Sequence, residues 1–309
     1  MTEPRLLRLM GLSILAALAN LGLKSAAYGV TGSVGLLADA GESVINLLAA
    51  VVALIALWYA GQPADEEHTY GHEKIEYFSS GLEGMLILFA AGAITWYAVR
   101  RLFVPKELES LHVGSAFTLL ATLLNLVVGR RLLRAGRQAR SIVLEADGRH
   151  LMADVYTSVG VLLGLALVWL TGLKWIDAAV ALAVAAHIAW SALGLVRRSF
   201  DGLMDRALSE KEQARVRAAI EGLLAPGMDY HALRTRRAGS RRFADFHLLV
   251  PGVFTVRRAH EITERIEQAI RAALPEMEVT VHIEPIEEQA AYEDSALVQL
   301  EQKKRAGGV

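Results

Sequence analysis

The stretch Gly32-Ser-Val-Gly-Leu-Leu-Ala-Asp39-Ala-Gly-Glu42-Ser-Val-Ile-Asn46-Leu-Leu48 decides how this chain is read. It opens an apolar run, Val34–Tyr59, and about 20 such residues suffice to cross a bilayer as a helix. Inside that run stand Asp39, Glu42 and Asn46, and spacings of three and four put all of them on one helical face. At 1.5 Å per residue Glu42 lies roughly 12 Å into the span, where an ionised side chain costs several kcal/mol unless it is paired or hydrated. Hydrogen bonds that only hold a bundle together are the plain alternative. Three polar groups on one face favour a ligand set for a cation.

Working outward, five further windows are apolar enough to span: Leu6–Val30, Phe78–Val99, Val113–Val128, His150–Leu173 and Trp175–Val196. Six spans leave both ends of the chain on one side. Arg5, Arg8, Lys74, Arg130, Arg131, Arg134, Arg137, Arg140, Arg197 and Arg198 fall on that side, and Arg100, Arg101, Lys106 and Lys174 on the other. Positive charge stays inside, so both termini are expected in the cytoplasm. The N-terminal run continues past a signal-peptide core without a cleavage site and reads as a first span.

After Arg198 the character changes to that of a soluble domain. Ser209 to Leu224 reads as an amphipathic helix capped by Ser209 with Glu210 and Glu212 in its first turn. Phe243–Val250 and Val279–Glu284 alternate like half-buried strands, with a second helix from Arg257 to Leu274 between them. Helix–strand–strand–helix–strand fits a small α+β domain with an antiparallel or mixed sheet. The expected organisation is a six-helix membrane bundle over residues 1–204, a soluble domain over 205–288 and a charged, disordered tail over 289–309.

Composition narrows the chemistry. The chain has 309 residues, 53% hydrophobic, with net charge −1, so nothing favours nucleic acid as a partner. It has no Cys, so a metal must be held by His, Asp, Glu or Asn. In the fifth window His150 and Asp154 stand four apart on one face. With Glu42 and Asn46 they would make a four-coordinate N/O site, provided the fifth helix extends back into Glu145–Arg149. Asn20 and Asn125, each isolated on its own helix, read as interhelical glue. Asp65, His68 and His72, spaced three and four apart after the second span, could form a second site at the membrane edge, or a solvated loop. The soluble domain adds His231, His247, His260 and His282, with Glu284 two residues beyond His282 on the same strand face. His112 and His187 belong to no cluster. Neither a phosphate-binding G-x-x-x-x-G-K-[ST] loop nor a catalytic triad signature occurs, so the chain reads as no enzyme and calls for no prosthetic group.

The sequence resembles the cation diffusion facilitator family of metal/proton antiporters from about Gly11 to Pro285. The likeness is carried by Thr31-Gly-Ser-Val-Gly-Leu-Leu-Ala-Asp39, Gln62-Pro-Ala-Asp-Glu-Glu-His-Thr-Tyr-Gly-His-Glu-Lys74, Ala146-Asp-Gly-Arg-His-Leu-Met-Ala-Asp154, His231-Ala-Leu-Arg-Thr-Arg236, Phe246-His247 and Val281-His-Ile-Glu-Pro285. The resemblance implies a homodimer in the membrane lipid, six helices per protomer, and a metallochaperone-like, ferredoxin-type cytoplasmic domain at the dimer interface. It implies a transport site on Glu42, Asn46, His150 and Asp154, a loop site on Asp65, His68 and His72, and cytoplasmic sites on His231, His247, His260, His282 and Glu284. Members commonly carry His or Asp and then Asp on the second helix, where this chain has Glu42 and Asn46. The second change removes one negative charge, which Asp39 one turn away could restore. His150 suits zinc, iron(II), cobalt or nickel, with cadmium also open; an all-oxygen site would favour manganese. The expected function is efflux of such cations, zinc first, across a bacterial inner membrane by alternating access, with protons as counter-ions. A membrane-anchored metal sensor and a passive metal channel are the alternatives.

Overall fold

The computed structural model describes residues 4–31, 34–103, 114–173 and 175–293. The chain divides into two compact units, Met1–Leu203 and Met204–Val309.

The first unit is all helical: α1 (Pro4–Thr31), α2 (Val34–Ala60), α3 (Ile75–Phe103), α4 (Gly114–Ala139), α5 (Ile142–Thr171) and α6 (Trp175–Leu203). Among the described residues, four helices are long and apolar enough to cross a membrane, through Pro4–Ala26, Ser43–Ala60, Ile75–Arg100 and Ala178–Leu203. The other two mix their signals. The last half of α4 carries Arg130, Arg131, Arg134 and Arg137, and the first half of α5 carries Glu145, Asp147, Arg149 and Asp154.

The start of α5 differs from the His150 that hydropathy gives. It lies at Ile142, after an extended Ser141 whose hydroxyl donates to Glu76 Oε2 of α3 at 2.6 Å. What looks like a charged connection is a packed helical segment. Val143, Leu144 and Ala146 are fully buried, and Glu145 is paired to Arg198 of α6 at 2.7 Å. Two glycines make the fit possible. A Cβ on Gly148 would stand 2.9 Å from the Leu133 backbone nitrogen, and one on Gly136 would stand 2.8 Å from that of Glu145. Backbone contact between α4 and α5 at these points fixes the depth at which His150 and Asp154 emerge.

The second unit is α7 (Glu210–Glu221), β1 (Asp229–Ala238), β2 (Arg241–Val250), α8 (Val256–Ala273), β3 (Met277–Pro285) and a single turn, α9 (Ala290–Glu293). The sheet order is β1-β2-β3, with β1 and β2 antiparallel and β2 and β3 parallel. Helix α7 starts in a capping box: Ser209 Oγ accepts from the Glu212 backbone N–H, and Glu212 accepts from that of Ser209. On α8 the residues Ala259, Ile262, Ile266 and Ile270 form an apolar stripe at helical spacing and bury against Ala244, Phe246, Leu248 and Val250 of β2. Full burial of one such aliphatic side chain contributes about 1.5–3 kcal/mol. Strand side chains alternate, so covering one face of the sheet with Phe246 and Leu248 turns His247 to the other. Most of the charged tail, from 294 on, lies outside the described residues.

Candidate metal centres

Among the described residues, three places gather oxygen and imidazole donors, and their assembly differs.

In the helical unit, Asn46 of α2 and His150 and Asp154 of α5 line one small cleft, together with Ser13 and Asn20 of α1, Ser43 of α2 and Asp147 of α5. Asn46 Nδ2 donates to Asp154 Oδ2 at 3.3 Å. Asn125 Nδ2 of α4 donates to the same oxygen at 3.3 Å, and Asn20 Nδ2 donates to Asn125 Oδ1 at 2.5 Å. The Asn20 and Asn125 that the sequence isolates on separate helices therefore meet at a candidate ligand. The side chains of Asp39 and Glu42 lie outside the described ones.

Two acids near this cleft were passed over in the sequence. Asp147, one turn before His150, is 3% exposed. Glu83 of α3 is also 3% exposed, and its Oε1 stands 4.0 Å from His150 Nδ1. Neither Glu83 oxygen has a hydrogen-bond partner among the described residues. A carboxylate inside the apolar window Phe78–Val99 was the available signal for Glu83. For Asp147 it was the three-residue offset from His150.

In the connection between α2 and α3, Asp65, His68 and His72 offer donor atoms all within 4.8 Å of one another. Asp65 Oδ1 is 3.2 Å from His68 Nδ1, and Asp65 Oδ2 is 3.2 Å from His72 Nε2. Turns, not a helix, bring them together. Asp65 accepts the backbone N–H groups of Glu67 at 3.0 Å and His68 at 2.6 Å, and Gly71 takes φ 88°, a left-handed value that glycine adopts without cost. The His68 backbone N–H, with the two imidazoles beside it, holds the exposed Asp65 carboxyl below its usual range. His72 is buried against the edge of Tyr59, with ring centres 4.4 Å apart.

In the second unit, strand register builds the site. His231 of β1 faces His247 of β2, and His247 faces His282 of β3, so three imidazoles form a row across the sheet. Glu284, two residues along β3, closes it. Its Oε2 lies 3.0 Å from His231 Nε2, and its Oε1 lies 3.1 Å from His247 Nδ1 and 3.9 Å from His282 Nδ1. His231, His247 and Glu284 share one set of donor atoms within 4.8 Å. His282 stands at its edge with a largely exposed side chain, its ring 4.8 Å from that of His247. The fourth histidine of the sequence reading, His260, is exposed on α8 and belongs to neither donor cluster found among the described residues. Sequence spacing could not show this, because membership depends on which face of the domain a helix turns outward.

The chain is similar to known proteins over both units. Residues 10–204 match the cation efflux transmembrane domain, and residues 208–286 match the cytoplasmic domain of cation efflux proteins. The chain is 46% identical over 282 residues to an uncharacterized transporter of Synechocystis sp., covering 91% of each. It is 34% identical over 288 residues to the cation-efflux pump FieF of Serratia proteamaculans, covering 92% of this chain and 95% of that one. The solved metal-bound C-terminal domain of the CzcD transporter from Thermotoga maritima is 28% identical over 26% of this chain and 99% of its own, with a TM-score of 0.24.

Proposed function

The chain belongs to the cation diffusion facilitator family, and from that premise we propose that it exports divalent transition-metal cations, zinc first, in exchange for protons. Membership already makes it an integral membrane cation-efflux protein. The observation that carries the finer reading is the cleft in which Asn46, His150 and Asp154 meet inside a unit of long apolar helices. A passive anchor has no use for such groups, since buried polar side chains in a bilayer cost free energy and mark ion paths.

All six long helices span in this reading. The imperfect pair, α4 and α5, keep their charges on buried or cytoplasmic faces: Glu145 on Arg198, and the Arg130–Arg137 series at the inner membrane surface. Both termini are cytoplasmic, and the membrane is a bacterial inner one. Cation reaches His150 and Asp154 from the cytoplasm, and Asn46 and Glu42 complete the set. A ligating imidazole or carboxylate must give up its proton, and imidazole does so near neutral pH. Loading therefore expels protons, and reprotonation from the far side ejects the ion. The protein works as a homodimer. The row of His231, His247 and His282 with Glu284 binds regulatory metal, and binding there draws the soluble domains together.

Proteoliposomes with an imposed pH gradient test this. Zinc flux should follow the gradient and saturate, and Asp154→Ala should abolish it. Flux that ignores the gradient and never saturates would make the protein a channel, and absence of flux beside intact metal binding would make it a sensor.

A further inference from the structure

The amides around Asp154 run in one direction, and the direction has a cause. A carboxylate only accepts hydrogen bonds, so Asn125 must present its NH2 group to Asp154. That turns Asn125 Oδ1 the other way, toward Asn20, which must then donate its own NH2. The structure has this sense throughout: Asn20 Nδ2 to Asn125 Oδ1 at 2.5 Å, then Asn125 Nδ2 to Asp154 Oδ2 at 3.3 Å. Asn20 Oδ1 has no hydrogen-bond partner among the described residues and stands at the end of the relay farthest from the acid. Asn20 and Asn125 are both buried, 6% and 5% exposed. On the other side Asn46 Nδ2 also ends on Asp154 Oδ2, at 3.3 Å. Both amides thus engage Oδ2, and neither consumes Oδ1. The same bond points the Asn46 amide nitrogen at Asp154, which leaves Asn46 Oδ1 as its end for a cation.

We infer that Asn125, oriented by Asn20, is a positioning residue that holds the Asp154 carboxylate with Oδ2 occupied, so that a transported cation takes one oxygen from it and not two. The inference rests on Asp154 being a ligand of the transport site. Its consequence is selectivity. One carboxylate oxygen beside an imidazole and an amide oxygen suits a small four-coordinate ion such as Zn2+. A carboxylate free to bind through both oxygens suits a larger, oxygen-seeking ion such as Mn2+. Helices α1 and α4, which supply no ligand of their own, would then set which metal passes.

The test is transport of Zn2+ and of Mn2+, measured separately in proteoliposomes, for Asn125→Leu, Asn20→Leu and Asp154→Asn beside the unaltered protein. Leucine keeps the branched heavy-atom skeleton of asparagine and removes the amide. Asn125→Leu is expected to raise the KM for Zn2+ about tenfold, as changes to groups that orient metal ligands do, and to raise the Mn2+ to Zn2+ ratio of kcat/KM by a similar factor. Asn20→Leu should shift both in the same direction by less. A merely structural contact would slow both ions alike and leave the ratio alone, so an unchanged ratio in both variants overturns the inference. If Asn125→Leu does not elute as a monodisperse protein, the ratio in Asn20→Leu decides alone. Asp154→Asn separates the two levels. Normal Zn2+ transport in that variant sinks the transport site itself, whereas a dead Asp154→Asn with an unchanged ratio in the leucine variants sinks only the relay.

Discussion

The cleft among the helices and the histidine row on the sheet are both built from imidazole, carboxylate and amide donors, but they are held differently. In the row, three strands in register carry His231, His247 and His282, and one carboxylate, Glu284, stands within 3.1 Å of two of the rings. Backbone pairing fixes those positions before any ion arrives. In the cleft, the candidate donors described come from separate helices, and the carboxylate of Asp154 is held by amides from α2 and α4. Its geometry changes whenever those helices slide. A preassembled site retains what it binds, whereas a site shared among movable helices can be taken apart to release it. The difference suits a regulatory ligand on the sheet and a passenger in the cleft.

The sharpest way to break this contrast is to delete one ligand from each. Asp154→Ala should lower zinc kcat/KM by more than the roughly 100-fold that marks the upper end of second-sphere changes, measured by uptake into proteoliposomes. Glu284→Ala should weaken zinc binding to the soluble domain about 10–100-fold, read by calorimetry on the full chain, while reducing maximal transport at saturating zinc far less than Asp154→Ala does. Equal losses of transport in the two variants would erase the distinction between passenger and regulator. A smaller effect is expected at the loop. Asp65→Asn keeps an acceptor for the His68 backbone N–H but removes the charge between His68 and His72. It should raise the zinc KM by about threefold to tenfold, within the roughly 0.5–1.5 kcal/mol of an ordinary polar contact at an exposed site, with kcat little changed. A fall in kcat instead would place that trio in the transport step.

Much of this was legible in the chain, for reasons that also explain what was not. Hydropathy located the six long helices, and period-two alternation located β2 and β3, because burial imposes both patterns locally. His150 and Asp154 could be paired because a spacing of four is itself a geometric statement. The start of α5 could not be read, since Glu145 resembles a charged linker until Arg198, 53 positions away, is brought to it at 2.7 Å. The join of Asn20 to Asn125 spans 105 positions and leaves no local mark. His231, His247 and His282 were visible as a cluster, but their register, and the place of His260 outside the donor cluster among the described residues, depend on which strands pair and which face α8 covers. Local physics writes itself into spacing; contacts between elements do not.

The smallest effect concerns how rigid the sheet's scaffold is. Glu212 sits where α7 meets the β1–β2 hairpin, 2.8 Å from Arg237 and 3.1 Å from the fully buried Arg242, which also donates to the Pro275 carbonyl at 3.0 Å. Burial alone would push its carboxyl up, but the Ser209 hydrogen bond and the two guanidinium groups outweigh this and hold it below its usual range. A depressed carboxyl stabilises the folded state above the unfolded pKa, near 4.5, and that stability is lost as pH falls through the lower folded value. Amide exchange of α7 in the full chain should therefore stay slow from neutral pH down to about that value, after correction for intrinsic rates, and quicken below it. Ser209→Ala removes the cap and one of the groups that lower Glu212. It should cost α7 about 1 kcal/mol at neutral pH and shrink the part of its protection that is lost on acidification, because a folded value nearer the unfolded one leaves less to lose. If the acid-sensitive part is equal in both proteins, the cap acts on the backbone alone, and Arg237 and Arg242 account for the depressed carboxyl.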